Sequence, residues 1–309
     1  MKKLGFFYHE DYMNHLVPKG HPENVCRIES IIDQLSSKKF TKLELIEPPL
    51  AADTVIRLGH SEAYLERLSN MVPDSGIIQL DQDTFMSPGT LRSAKRSVGA
   101  IITAIDGILD NTIRNAFCAV RPPGHHAERD KAMGFCFLNT VGIGAKYLLY
   151  KEGIHRVAVL DFDVHHGNGT QDLLWNEPDC LFISIHQEML FPHTGFEEET
   201  GVNNNIFNIP ISPHFKSTDL RHLFKEKVIP RLKSFDPDFL IISAGFDGHI
   251  NDHISQINWL KDDYIYITKE LKRFATINCK GRIVSCLEGG YDLTSLKECC
   301  ESHIQVLME

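Results

Sequence analysis

"RVAVLDFDVHHGNGT", residues 156–170, runs from an apolar, β-branched stretch directly into two aspartates, two histidines and two glycines. A short apolar run that ends in a glycine-rich turn reads as a strand rather than a helix. Its consecutive apolar residues suit a strand covered on both faces, the environment of a parallel sheet. Other segments follow the same plan: "NAFCAV" (115–120) leads into "RPPGHH", "CLFISIH" (180–186) ends in "SIH", "DFLIISAG" (238–245) leads into "GFDGH", and "GRIVSCLEG" (281–289) leads into "EGGY". With "LGFFY" (4–8) as a further strand, helical spacing fills 91–110, 137–152, 217–234, 259–276 and 292–306. The alternation predicts an α/β fold: a single domain over residues 1–309 with a mostly parallel central sheet flanked by helices on both faces. No repeat, low-complexity tract or linker divides it. Ligands of open α/β sheets bind outside the carboxyl ends of the strands, so the polar clusters are expected to converge on one rim.

Composition narrows the function. A formal net charge of −9 with scattered lysines and arginines argues against direct nucleic-acid binding. No 18-residue apolar stretch predicts a membrane span, and "MKKLGFFYHEDY" reads as a first strand rather than a signal peptide. The eight cysteines form no CxxC pair and sit mostly in apolar runs. They read as reduced, buried thiols of a reducing compartment such as the cytoplasm. The vicinal Cys299–Cys300 pair falls on a helix and is given no chemistry.

Side chains alternate along a strand, so Asp161, Asp163 and His165 share one side if the extended path continues. Unpaired carboxylates are costly to bury, and a divalent cation is one compensation. Zinc takes carboxylate oxygen and histidine nitrogen, with three protein ligands and an open position in catalytic sites. Asp247 in "SAGFDGH" is the candidate third ligand. The competing reading is an Asp–His hydrogen-bond network that caps the strands; the set taken together favours the metal. The glycines of "HHGNGT" are expected to turn the chain sharply away, and neither a GxGxxG nor a P-loop lysine suggests phosphate.

His125 and His126 follow a rigid Pro-Pro-Gly turn. Two histidines with different partners can divide electrostatic and proton-transfer roles, or can be incidental polar surface. Tyr291 beside two glycines is either a buried, hydrogen-bonded phenol or a donor to a developing oxyanion. Metal, histidine pair and phenol together describe attack of water on a carbonyl.

These segments resemble the histone deacetylase family of zinc amidohydrolases, within the arginase/deacetylase superfamily. The resemblance is carried by "HPENVCRIESI" (21–31), "LDQDTFMSPGT" (80–90), "RPPGHHAERDKAMGFCFLN" (121–139), "VLDFDVHHGNGTQDLLW" (159–175), "SIHQEMLFPHTG" (184–195), "SAGFDGHINDH" (243–253) and "LEGGYDL" (287–293). Details such as "HAERDKAMGFC", "GNGTQ" and "GFDGH" are similar to the class II branch. The resemblance implies one zinc per chain held by Asp163, His165 and Asp247, His126 as general base and then acid, and His125 as its electrostatic partner. It further implies that Asp161 pairs with His125, that Asp161 and Ser184 contact a structural potassium ion, and that Tyr291 stabilises the oxyanion. Asn168 stands where class I enzymes place an aspartate. Phe135 and Phe191 would wall a narrow tunnel for a lysine stem, with Gly134 and His186 beside them. Ile254 occupies a rim position that is a glutamate gate in acetylpolyamine-specific relatives. His253 departs from a common proline, and Asp81 and Asp83 lie in a loop that often contacts substrate. Arg27 matches an arginine of an internal channel, or else bridges the N-terminal helix to an acidic loop. His166 is left without a catalytic duty.

The expected activity is zinc-dependent hydrolysis of N-acyl-lysine, acetyl-lysine first, in proteins or peptides. The alternatives are deacylation of small molecules such as acetylpolyamines, a catalytically silent acyl-binding protein, and a dinuclear manganese hydrolase of the arginase type.

Overall fold

The computed structural model describes residues 3–34, 38–41 and 43–309. In chain order the strands are β1 (Leu4–Phe7), β2 (Leu43–Ile46), β3 (Ile78–Gln79), β4 (Phe85–Met86), β5 (Ala116–Cys118), β6 (Val157–Asp161), β7 (Cys180–Gln187), β8 (Ile206–Ile211), β9 (Phe239–Ala244) and β10 (Ile283–Leu287). The α-helices are α1 (Cys26–Ile32), α2 (Asp53–Ile56), α3 (Glu62–Met71), α4 (Thr90–Leu109), α5 (Thr140–Leu148), α6 (Asn168–Leu174), α7 (Ser217–Leu223), α8 (Ile229–Phe235), α9 (Lys261–Asn278) and α10 (Leu293–Met308). Eight strands pair in the order β2-β1-β5-β10-β9-β6-β7-β8, while β3 and β4 form a small separate ladder. Every pairing in the large sheet is parallel.

Alternation along the strands builds two cores. Val157 and Val159 of β6 face Ile101 and Ala104 of α4, Val141 and Ala145 of α5 and Leu174 of α6. Ala158 and Leu160 face the opposite layer, with Ile267 and Leu271 of α9 and Leu296 and Ile304 of α10. Both faces of β6 are thus dry, which explains its unbroken apolar sequence. Each fully buried Val or Leu contributes about 1.5–3 kcal/mol relative to exposure. Among the described residues no helix is long and apolar enough to cross a membrane.

The five strands that end in polar clusters, β5, β10, β9, β6 and β7, are consecutive neighbours in the sheet. Parallel direction puts all their carboxyl ends on one rim, so the expected convergence is built by topology. Two expectations need correction. The helical stretch 217–234 is interrupted by a π-helical turn at Phe224–Val228, just before Pro230, which has no N–H to donate to a preceding carbonyl. Of the two glycines of "HHGNGT", Gly167 sits at the N-cap where the chain turns into α6, and only Gly169 departs from the expectation, lying inside the helix. A Cβ on Gly169 would lie 2.7 Å from the Ala127 nitrogen, so this glycine lets α6 press on the backbone that carries His126.

Candidate active site

β6 stops at Asp161, and the chain bends over the next residues rather than continuing extended. The three polar side chains therefore part company. Asp161 turns to His125, whose Nδ1 donates to its Oδ2 at 2.9 Å. Asp163 and His165 meet Asp247, which arrives from the loop after β9. His165 Nδ1 lies 3.0 Å from Asp163 Oδ1 and 3.1 Å from Asp247 Oδ2. Main-chain amides pin the carboxylates: Asp163 Oδ2 accepts from Gly289 at 2.8 Å, and Asp247 Oδ1 from Val164 at 3.0 Å.

This set fits a divalent cation. One donor atom from each of Asp163, His165 and Asp247 lies within 4.8 Å of the others, and all three residues are buried. Donors held about 2.0–2.1 Å from a tetrahedral zinc would be spaced by about 3.3 Å, close to the spacing found here. The charges point the same way. Burial and the neighbouring Asp163 push Asp247 up to about 7. Burial opposes a charge on His165, yet its hydrogen bonds to Asp163 and Asp247 raise it to about 10. The pocket thus demands a positive charge, which a proton supplies on His165 and a cation would supply better.

The histidine pair is split electrostatically. Burial disfavours the charged form of His125, but Asp163 and Asp161 outweigh it and raise His125 to about 10. The His126 ring packs against it at a tilt, ring centroids 4.0 Å apart. Burial, then repulsion from His125 and His165, drive His126 well below its ordinary value, so it is neutral at pH 7. A hydrogen-bond chain sets its tautomer. Asn168 Nδ2 donates to Glu128 Oε1 at 2.8 Å, which turns Asn168 Oδ1 toward His126 Nδ1, also at 2.8 Å. His126 Nδ1–H must then be the donor, and Nε2 keeps its lone pair.

Tyr291 is half-buried at the end of the β10 turn, its hydroxyl making no hydrogen bond among the described residues. Burial lifts its phenol well above the ordinary value, although Arg27 pulls the other way, so it is a proton donor at neutral pH. Arg27 on α1 fixes this turn. Its Nη2 and Nε donate to the carbonyls of Glu288 and Gly290 at 2.5 and 2.6 Å, and its guanidinium lies 4.9 Å from the Tyr291 ring centre. The bridging role expected for Arg27 is present, directed at main-chain oxygens. Glu23 completes the anchor, accepting from Arg27 at 3.1 Å and Arg121 at 2.7 Å. Arg27→Met is expected to lower stability by about 2–6 kcal/mol, because two buried carbonyls lose their donor at about 1–3 kcal/mol each, while Glu23 keeps Arg121. Denaturant unfolding reads this directly; an unchanged midpoint would refute the anchor.

Two residues that shape the site have no role in the sequence reading. Glu288 is buried, and its Oε2 accepts from the amides of Gly124 at 2.7 Å and His125 at 3.1 Å. Burial raises it to about 7. Asp252 Oδ2 accepts from the amide of Tyr291 at 2.6 Å. A carboxylate closing an apolar strand in "SCLEGG" was the available signal for Glu288.

The rim residues take their places around this cluster. The Phe191 ring packs edge-on to His126, centroids 5.0 Å apart, and Phe135 lies edge-on to Tyr291 at 5.9 Å. Phe135 adopts φ 68°, held by its amide donating to Thr84 Oγ1 at 3.1 Å. Gly134 has φ 55°, and a Cβ there would lie 2.5 Å from His126 Cδ2 and 2.9 Å from Phe191 Cε1. Only glycine leaves that space open. Ile254 is half-buried two residues beyond Asp252, while His253 is exposed. Asp81 Oδ1 accepts from the Thr84 amide at 2.7 Å and so shapes the loop beneath Phe135; the Asp83 carbonyl lies 3.0 Å from His21 Nε2. His186 is buried with Nδ1 on Ser184 Oγ and Nε2 on the Gly195 carbonyl, and lines a neighbouring cavity of about 410 Å³. Asp161 and Ser184 are paired in register across β6 and β7. His166 joins Thr194 and Gln171, and burial first, then His186, hold it down to about 3. Cys299 and Cys300 are buried in α10, and all eight cysteines are free thiols.

Residues 21–307 match the histone deacetylase domain as a family. The "Type-2 histone deacetylase 2" of Dictyostelium discoideum is 35% identical over 350 residues, a match that takes in 98% of this chain but 20% of that relative. The "Histone deacetylase-like amidohydrolase" of Pseudomonas aeruginosa is 35% identical over 280 residues, covering 88% of this chain and 73% of the relative. Among solved structures, that of the HDA15 HD domain superposes with a TM-score of 0.92 at 28% identity, covering 99% of this chain and 88% of the other.

Proposed function

The chain belongs to the histone deacetylase family, a family that includes amidohydrolases, and from that premise we propose that it is a zinc-dependent deacylase of N-acyl-lysine in proteins or peptides. The observation that supports this most is the buried Asp163–His165–Asp247 set with neutral His126 beside it, beneath Phe135 and Phe191. Residues 1–309 act as one catalytic unit in this reading, in a reducing compartment consistent with eight free thiols.

Asp163, His165 and Asp247 would hold a zinc ion, which would supply Lewis acidity at the acyl carbonyl and the attacking water. His126 Nε2 takes the proton of the attacking water and returns it to the departing lysine amine as the C–N bond breaks. His125 stays protonated through Asp161 and places a fixed positive charge beside the developing anion. Tyr291 donates its hydroxyl proton in a hydrogen bond to the acyl oxygen as that oxygen gains charge. Phe135 and Phe191 hold the methylene stem and exclude water. Potassium near the paired Asp161 and Ser184 positions would steady the strand that carries these groups. The apolar Ile254 offers no charge to select a polyamine.

A panel of acetyl-, propionyl- and longer acyl-lysine peptides with N-acetylpolyamines, run with and without a zinc chelator, tests the reading. Turnover of acetyl-lysine peptide that chelator removes and added zinc restores is expected. Zinc-loaded protein inert toward every acyl-lysine peptide would leave a silent acyl-binding protein, and faster turnover of acetylpolyamines would reassign the substrate.

Asn168→Asp tests the proton relay. A carboxylate on Nδ1 raises the pKa of His126 by about 1–3 units. Because the base must be neutral, the acidic limb of kcat/KM should move to higher pH by that amount. An unmoved limb removes His126 as the base.

A further inference from the structure

A second polar cluster lies at the opposite end of the sheet, where β10 begins. A cavity of about 360 Å³ opens between the end of α4, the turn before β5, α9 and the turn before β10. Arg114, Lys272, Lys280 and Arg282 line it, and none of its described lining residues is acidic. Four cations around one small cavity repel one another, in a chain whose formal net charge is −9. Part of this charge is architectural: Arg114 Nη1 donates to the Glu309 carbonyl at 3.1 Å and Lys272 Nζ to the Val306 carbonyl at 2.7 Å, at the end of α10. The remainder is not. Lys280 and Arg282 make no ion pair and no side-chain hydrogen bond among the described residues, and Arg282 Nη1 is buried without a partner. Asn115, 2% exposed, likewise has its Oδ1 buried and unpartnered. Lys280 also sits at φ 54°, where glycine or asparagine would be less strained, so the turn keeps a cation at a conformational cost. Burial first, and Arg114 next, lower the proton affinity of Lys272, against an opposing pull from Glu309.

We propose that this cavity binds a small metabolite carrying two or more phosphate groups. The cations match a charge of that size, and guanidinium forks suit phosphate oxygens. Ile108, Ile113 and Ile283 give an apolar wall for the rest of the molecule. The volume lies within the range of small-molecule sites, about 300–1,000 Å³. The site is separate from the catalytic rim and does not depend on the deacylase reading.

Isothermal titration and thermal shift of the full chain with ADP, inorganic tripolyphosphate and sulfate test the proposal. ADP and tripolyphosphate should bind saturably at one site and raise the melting temperature, with sulfate far weaker. Lys280→Glu and Arg282→Gln should each weaken ADP binding at least about tenfold; Lys280 is exposed, so its variant reports even if Arg282→Gln folds poorly. Absence of saturable binding, or ADP binding unchanged in Lys280→Glu, overturns the site. Lys269 and Arg273 lie along an adjoining groove that also holds Glu309. Tighter binding of a single-stranded oligonucleotide than of ADP through the same residues would likewise overturn it, marking an open polyanion surface instead.

Discussion

Asp247→Ala is expected to yield a folded protein that holds no zinc and turns over acyl-lysine at least about 10³-fold more slowly. The metal's share of transition-state charge stabilisation is several kcal/mol, and about 4 kcal/mol corresponds to that factor. Asp247 is the ligand to change because its carboxylate accepts from one main-chain amide, that of Val164 at 3.0 Å, whereas Asp163 accepts from the amides of both His165 and Gly289. Removing Asp247 should therefore spare the rim while opening the ligand set. Metal analysis should give about one zinc per wild-type chain and none for the variant. Added zinc should raise the melting temperature of wild-type protein only, since a ligand stabilises the state that binds it. A variant that retains zinc and activity would sink the ligand assignment. One that loses activity but keeps stoichiometric zinc would place Asp247 in orientation rather than ligation.

Legibility from sequence followed burial. Strands β5, β6, β7, β9 and β10 are buried along their length, so their apolar runs and the polar residues closing them stand out. The outer strands do not. β2, "LELI", lies at one edge with only Leu43 buried, and its glutamate and exposed leucine resemble an ordinary surface segment. β8, "IFNIPI", holds Asn208 and Pro210 at the other edge, where a residue lacking an N–H is tolerated and strand signals are weak. At the site, residue types at strand ends suggested a metal and a proton relay, and the family resemblance assigned the individual roles. What stayed hidden were contacts to main chain. Glu288 grips amides 163 and 164 positions away, and Asp252 grips one 39 away; no spacing rule connects such partners. The bend after Asp161 was equally invisible. Strict alternation places Asp161 with Asp163, yet the strand ends there and frees Asp161 for His125.

Tyr291→Phe removes a single oxygen and should separate binding from chemistry. Loss of one oxyanion donor costs about 10²–10³-fold in kcat, and KM should change little because the ring remains. The ring is held independently of the hydroxyl, by Phe135 at 5.9 Å and by the Arg27 guanidinium at 4.9 Å, and its backbone by Asp252. The hydroxyl has no other hydrogen-bond duty among the described residues, so its removal strands no buried partner, and unfolding midpoints should match wild type within about 0.5 kcal/mol. A structural tyrosine would show the reverse, lower stability with near-normal turnover. Zinc content unchanged, kcat down and KM preserved would assign the hydroxyl to the transition state, while near-full activity would remove it from the mechanism and leave the metal and His125 as the charges facing the acyl oxygen.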